Sequence, residues 1–295
     1  SKLVLIEAEL LPALLRQCKH RNIPVIQVNG RVSEKSIKLY GMFPAFLLWM
    51  TEPIKQFSMR SLTDADRFLQ LGLAKEKVLV TGNIKFDVTS AHTEDKFQPE
   101  WKADSLIVVF GSTRPGEEGP IMQALVKLQK EFPRLIGVIA PRHMGRCREV
   151  EDLIREFEVN YALLSEQDDL KNWKGNVLLI DSLGKLNAFY KSAAVTYVGG
   201  GFNPRFGGHN ILEPAALGKP VLFGKFMNNF EEESRLLIES GGGIQLQKEE
   251  ELYQALKKLL LNSEERQEIG RSASETVSNH RGAVLRTIKI IEETR

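Results

Sequence analysis

VGGGFNPRFGGHNILEPAALGKP, running from Val198 to Pro220, is the stretch from which the fold reads most directly. An apolar strand ends in three glycines. A loop carrying Arg205, Gly207 and Gly208 follows, and His209-Asn210 then opens a helix with Glu213 in its first turn. Glycines let backbone approach a ligand closely and accept positive φ. Amides at a helix start attract a phosphate, with the helix dipole behind them. A carboxylate in the first turn is placed to accept from two ribose hydroxyls. Strand, glycine loop and helix in this order predict a nucleotide site on a parallel α/β sheet. Asn210-x-x-Glu213 also has capping-box spacing, which offers Glu213 a purely structural role. Capping leaves the glycines unexplained.

Outward from this stretch, short apolar strands alternate with amphipathic helices. Downstream strands are expected at residues 106–110, 135–140, 177–180, 194–198 and 221–223, and helices at 116–130, 146–156, 185–190, 211–217 and 230–240. Three further strand ends carry polar residues. Gly111, Ser112 and Thr113 form an anion-compatible turn, where Ser112 or Thr113 either caps a helix or contacts a nucleotide. Arg142 and His143 follow another strand, and an arginine there suits a phosphate or a carboxylate. Asp181 and Gly184 follow a third, where Asp181 either starts a turn or lines the rim. With Gly200, Gly201, Gly208, His209, Asn210 and Glu213, these are the candidate donor-binding residues. Arg205 is balanced between anion and solvent.

Upstream, strands are expected at 3–6, 24–29 and 78–81, with helices at 11–21, 33–39 and 63–71, the last stopped by Gly72. Residues 89–103 turn polar and aperiodic, as a linker does. The tail reads as helices over 249–262 and 263–295, with a break near His280. The expected organisation is a first domain over 1–95, a nucleotide-binding domain over 96–280, and a C-terminal helix over 281–295 packing back toward the first domain.

Composition bounds the function. The 295 residues are 42% hydrophobic and 26% charged, with a formal net charge of +2. That balance argues against a nucleic-acid binder. Two cysteines without a CxxC give neither a disulfide framework nor a zinc site. No apolar run approaches the ~18 residues that span a bilayer. The apolar patch at 43–50 reads as core or interdomain surface, with a docking site for acyl chains as the alternative. Asp64-Ala65-Asp66 imitates a metal-binding DxD, but its place in a first helical turn predicts capping. No phosphate-binding Gly-x-x-x-x-Gly-Lys-Ser/Thr loop is present.

Taken in order, FGSTRPGEE (110–118), APRH (140–143), DSLGKL (181–186), VGGG (198–201) and GGHNILEPAALGKPVLFG (207–224) resemble the 3-deoxy-D-manno-octulosonic acid (Kdo) transferase family. In the first half, Glu7, Glu9, Leu10 and Pro12, NGRVSEKS (29–36), TDADRFLQLG (63–72) and TGNIKFD (81–87) resemble it too. The resemblance implies an α/β fold of the GT-B type, two Rossmann-like domains facing a cleft. It implies inverting transfer of Kdo from CMP-Kdo to a lipid A precursor at the cytoplasmic face of the inner membrane, without a required metal or other cofactor. Ser112, Arg142, Asn210 and Glu213 match family positions at the CMP site. Glu7 and Glu9 match a segment near the catalytic cleft and are the candidate bases. Arg31 is a candidate anchor for an acceptor phosphate.

The sequence departs from the family in two places. Leu11 stands where a Trp is usual, and nothing matches the family's Ser-x-Gly-Glu segment, whose Glu is taken as general base. The first domain is therefore expected to be incomplete, the chain resembling the family without its leading segment. The alternatives are another GT-B enzyme, such as a UDP-sugar transferase or epimerase, and a non-catalytic nucleotide-binding fragment.

Overall fold

Parallel strands alternating with helices build both halves of the chain in the computed structural model, which describes residues 1–7, 10–32, 34–88 and 97–294. Two units form. One holds Ser1–Ala91 with His280–Arg295, the other His92–Asn279.

In the first unit, β1 (Leu3–Ile6), β2 (Val25–Gly30), β3 (Ile54–Met59) and β4 (Val78–Val80) pair in parallel in chain order. Its helices are α1 (Pro12–His20), α2 (Glu34–Met42), α3 (Pro44–Thr51), α4 (Leu62–Gln70) and the short α5 (Lys85–Val88). β2 lies inside the sheet and is buried along its whole length. The reading of the sequence had no strand at 54–59. Lys55 and Gln56 interrupt the apolar run there, yet Ile54, Phe57 and Met59 are fully buried. The patch at 43–50 is the helix α3, with Pro44 in its first turn where no N–H is needed. Leu47 and Met50 enter the core, while Phe43, Phe46 and Trp49 stay exposed. Asp64 sits in the first turn of α4, as expected. It is buried, accepting from the Val32 amide (3.0 Å), Arg60 Nε (2.8 Å) and Ser61 Oγ (2.7 Å).

The second unit holds a seven-stranded parallel sheet of order β11-β10-β9-β5-β6-β8-β7. These strands are β5 (Leu106–Thr113), β6 (Leu135–Pro141), β7 (Tyr161–Leu163), β8 (Val177–Leu179), β9 (Val195–Val198), β10 (Val221–Gly224) and β11 (Gly243–Leu246). Its helices are α6 (Glu118–Glu131), α7 (Cys147–Arg155), α8 (Leu186–Ser192), α9 (Leu212–Ala216), α10 (Glu231–Glu239), α11 (Glu251–Leu261) and α12 (Ser263–Asn279). α11 buries Leu252, Leu256, Leu259 and Leu260, the helical stripe the sequence shows. β7 and β11 went unread because they are short, and β11 begins with a glycine that suggests a turn. Part of the segment read as linker belongs to this unit. Phe97 and Trp101 lie against Phe189 with ring centroids 5.6 and 6.0 Å apart, and Trp101 Nε1 donates to Ser192 Oγ at 3.0 Å. Residues 89–96 of that segment lie outside the described residues.

The break expected near His280 falls between Asn279 and α13 (Ala283–Glu293), where Gly282 has φ of 91°. α13 belongs to the first unit. Asp87 accepts from the Gly282 and Val284 amides, both at 2.6 Å. Arg286 Nε donates to the Thr81 carbonyl at 2.7 Å, and the Phe86 and His280 rings stack at 5.0 Å. Asp87 thus caps a helix nearly two hundred residues away in sequence. Replacing it with alanine is expected to cost about 1–2 kcal/mol. Hydrogen exchange should show the loss concentrated in α13.

Candidate nucleotide site

Strand order in the second sheet reverses beside β5. The chain lays β6, β8 and β7 to one side, then β9, β10 and β11 to the other. In open α/β sheets, ligands bind in the crevice outside the carboxyl ends of the strands at such a reversal. Here it falls between the end of β5, residues 111–117, and the end of β9, residues 199–201.

Two buried carboxylates organise that crevice. Glu117 is 4% exposed and accepts from the Gly200 amide (2.8 and 2.9 Å to its two oxygens), the Arg114 amide (2.9 Å) and the Tyr197 hydroxyl (3.0 Å). Burial pushes its pKa up, although these donors pull the other way. Glu118 is 2% exposed. It accepts from the Thr113 hydroxyl (2.8 Å) and from both terminal nitrogens of Arg146 (2.7 and 3.2 Å). The buried Thr113 side chain thus faces inward to Glu118 and supports the turn. Neither Thr113 nor Ser112 caps α6, which starts after Glu117. Ser112 takes φ of 56° at the end of β5.

Glycine serves close packing at this rim. A Cβ on Gly111 would sit 1.9 Å from the Tyr190 hydroxyl oxygen, and one on Gly201 2.7 Å from the Gly224 nitrogen. The Gly208 amide donates to the Gly200 carbonyl at 2.9 Å, tying the two ends of the loop together.

Cationic and imidazole groups gather above. Arg114 Nε donates to His209 Nε2 at 2.9 Å, its Nη1 lies 2.8 Å from His143 Nε2, and its guanidinium rests 4.8 Å from the Phe206 ring centre. The exposed Arg142, whose amide donates to the Thr113 carbonyl, is close enough to act electrostatically on both Arg114 and His209. Burial, with Arg114, Arg142 and His143 nearby, lowers the His209 pKa to about 4, so the ring is neutral at pH 7.

α9 is shorter than the reading of 211–217, spanning only Leu212–Ala216. Asn210 Oδ1 accepts from the Leu212 amide (3.1 Å), and its Nδ2 donates to Glu213 Oε1 (3.0 Å). One amide expected to hold a phosphate is therefore taken by Asn210 itself, an Asx-type turn. The positive charge at this rim comes from the Arg114 and Arg142 side chains.

Of the two other candidates on this sheet, Asp181 has a visible structural partner. Asp181 accepts from the Ser165 amide (3.0 Å) and the Ser165 hydroxyl, and Gly184 lies in an exposed turn with φ of 78°. Arg205 is exposed, its amide donating to Asn203 Oδ1 at 2.9 Å.

In the first unit, Glu7 sits in the turn after β1 with φ of 60°. It pairs with Arg31 (3.3 Å) and Lys85 (3.8 Å), so the candidate base and the candidate phosphate anchor meet in one ion-pair cluster. Glu9 lies outside the described residues, as does Ser33 of the NGRVSEKS segment. Among the described residues, no group of three His, Cys, Asp or Glu is placed to hold a metal, and no helix is long and apolar enough to cross a membrane.

The sequence reading missed Arg114, Glu117, Glu118 and Arg146. The available signal was the adjacent glutamate pair after Gly116, which reads as a solvated first helical turn until burial is known.

The architecture is that of the GT-B type. A putative UDP-N-acetylglucosamine 2-epimerase from Listeria monocytogenes superposes with a TM-score of 0.64 at 15% identity, covering 99% of this chain and 75% of that one. The C-terminal CMP-Kdo binding domain of WaaA from Acinetobacter baumannii superposes with a TM-score of 0.57 at 24% identity, over 65% of this chain and 97% of that domain. Residues 1–88 match the family described as 3-deoxy-D-manno-octulosonic-acid transferase (kdotransferase). A 3-deoxy-D-manno-octulosonic acid transferase from Haemophilus influenzae is 33% identical over 294 residues, which cover 98% of this chain and 68% of that protein. The chain belongs to the Kdo transferase family of glycosyltransferases. It spans 68% of the Haemophilus influenzae relative's length and 40% of that of a bifunctional glycosyltransferase/methyltransferase from Fusobacterium nucleatum, which is 33% identical over 260 residues.

Two outcomes test the crevice. Gly111→Ala should lower stability by about 1–3 kcal/mol through overpacking on Tyr190. Adding Tyr190→Phe should return part of that loss in a double-mutant cycle of urea unfolding. Glu117 holds its proton more tightly in the folded than in the unfolded chain. Stability contributed by its protonated form is therefore lost as pH rises from the ordinary value of 4.5 through the raised one. Glu117→Gln should abolish that slope and leave one donor unpaired, costing about 1–3 kcal/mol.

Proposed function

We propose that this chain binds CMP-Kdo through its second unit and takes part in transferring Kdo, with inversion, to a lipid A precursor. The observation that carries this reading is the Arg114, Arg142, His143 and His209 cluster above the β5–β9 crevice, with Asn210 and Glu213 at the neighbouring helix start. A CMP-sugar acid brings one phosphate and one carboxylate. Two arginines beside the neutral His209 ring match those charges, and Glu213 suits the ribose. During transfer, charge grows on the departing phosphate, and Arg142 with Arg114 would stabilise it.

The acceptor side belongs to the first unit in this reading, and the work is placed at the cytoplasmic face of the inner membrane, peripherally. Support comes from α2 and α3, where Leu39, Met42, Phe43, Phe46 and Trp49 remain exposed, with Arg16 4.5 Å from the Trp49 ring centre. Apolar residues beside a cation suit an acylated, anionic acceptor. A base is the part least provided for, because Glu7 is engaged by Arg31 and Lys85. That engagement favours a second reading, in which the chain holds the nucleotide without completing the chemistry.

Calorimetric titration should show CMP binding more tightly than UDP, and Glu213→Ala and Arg142→Ala should each weaken CMP about tenfold or more. Preference for UDP would favour a UDP-sugar enzyme. Single-turnover incubation with CMP-Kdo and a lipid A precursor separates the two readings, since CMP binding without product supports the nucleotide-holding one.

A further inference from the structure

Arg114 makes two contacts whose chemistry leaves little freedom. A guanidinium has N–H donors and no acceptor. Its Nε donates to His209 Nε2 at 2.9 Å, and its Nη1 meets His143 Nε2 at 2.8 Å. A ring nitrogen that accepts from arginine carries no hydrogen of its own, so both rings must be neutral with their proton on Nδ1. The arginine is itself held in place. Its amide donates to Glu117, and Phe206 supports the guanidinium face. The His209 ring also packs close to Gly200, its Cδ2 and Nε2 lying 2.9 and 3.1 Å from where a Cβ on that glycine would sit.

We propose that Arg114 is a positioning residue that sets the tautomer of both His209 and His143, making each a neutral Nδ1–H donor at the rim of the crevice. The functional part rests on the nucleotide-site reading, in which those donors serve phosphate or carboxylate oxygens. The tautomer assignment stands on the hydrogen bonds alone. A cation on the His209 ring would face Arg114 and Arg142, which favours its neutral form. Arginine in this role adds positive charge for the anion while keeping the imidazoles uncharged but directional.

The test is a two-bond proton–nitrogen correlation spectrum of the full chain labelled with ¹⁵N-histidine. In the unaltered protein at neutral pH, His209 and His143 should both show the Nδ1–H pattern. Arg114→Met should shift both toward Nε2–H and weaken CMP about tenfold. Arg114→Lys keeps the charge but cannot span two rings, and should preserve the pattern of at most one. An Nε2–H pattern on His209 in the unaltered protein, or unchanged tautomers in Arg114→Met, overturns the proposal. The unaltered spectrum decides even if a variant fails to fold. If the tautomers are as stated but CMP moves neither ring's resonances, the nucleotide-site reading fails while the tautomer assignment survives.

Discussion

A carboxylate buried at the end of β5 governs the arrangement of the second unit. Glu117 gives up its water and receives the Gly200 amide, the Arg114 amide and the Tyr197 hydroxyl in exchange. Isolated burial of such a group is costly, so those donors must remain in place for the fold to tolerate it. The requirement pins the ends of β5 and β9 to each other across the point where strand order reverses. Glu118 does the same work sideways, fastening Arg146 just ahead of α7 and the Thr113 hydroxyl beneath the turn. Adjacent residues thus tie the end of β5 to β9 on one side and to the start of α7 on the other. Everything above them, including the Arg114 side chain and the rings it touches, inherits its position from these bonds.

Glycine in this region looks at first like a device for admitting phosphate. The distances give it a second duty. Gly111 makes room for the Tyr190 hydroxyl, and Gly201 lies against the backbone of Gly224. Protein meets protein at these positions, so a side chain there would disturb the sheet ends before it met any ligand. The glycine-rich stretch is consequently a packing pattern in its own right.

Much of this was visible in the sequence where local rules decide. The strand read at 106–110 follows from a continuous apolar run, although β5 runs on to Thr113 through residues read as a turn; the strand read at 194–198 and the first-turn placement of Asp64 were legible too. The candidate residues Arg142 and His209 stood at a strand end and a glycine loop and come within electrostatic reach of each other, with Asn210 and Glu213 beside them. Long-range burial was not visible. Glu117 and Glu118 read as surface acids because nothing nearby in sequence announces that Tyr197, Gly200 and Arg146 will surround them. The strand at 54–59 was hidden by Lys55 and Gln56, whose polar character mattered less than tertiary pairing with β2 and β4. The Thr113–Glu118 bond was hidden for a related reason, since only the three-dimensional partner shows which way a hydroxyl faces.

The placement of α13 has a consequence for how this protein is taken apart. The polypeptide leaves the first unit, completes the second, and returns to finish the first with its last helix. A fragment ending near residue 91 would bare the Phe86 ring, leave the Thr81 carbonyl without Arg286 and deprive Asp87 of the amides it caps. Residues 92–279, by contrast, are one continuous stretch that can be excised by two cuts. Insertion of a whole body between two pieces of another means that a purification handle at the carboxyl end is attached to the same body as the amino end.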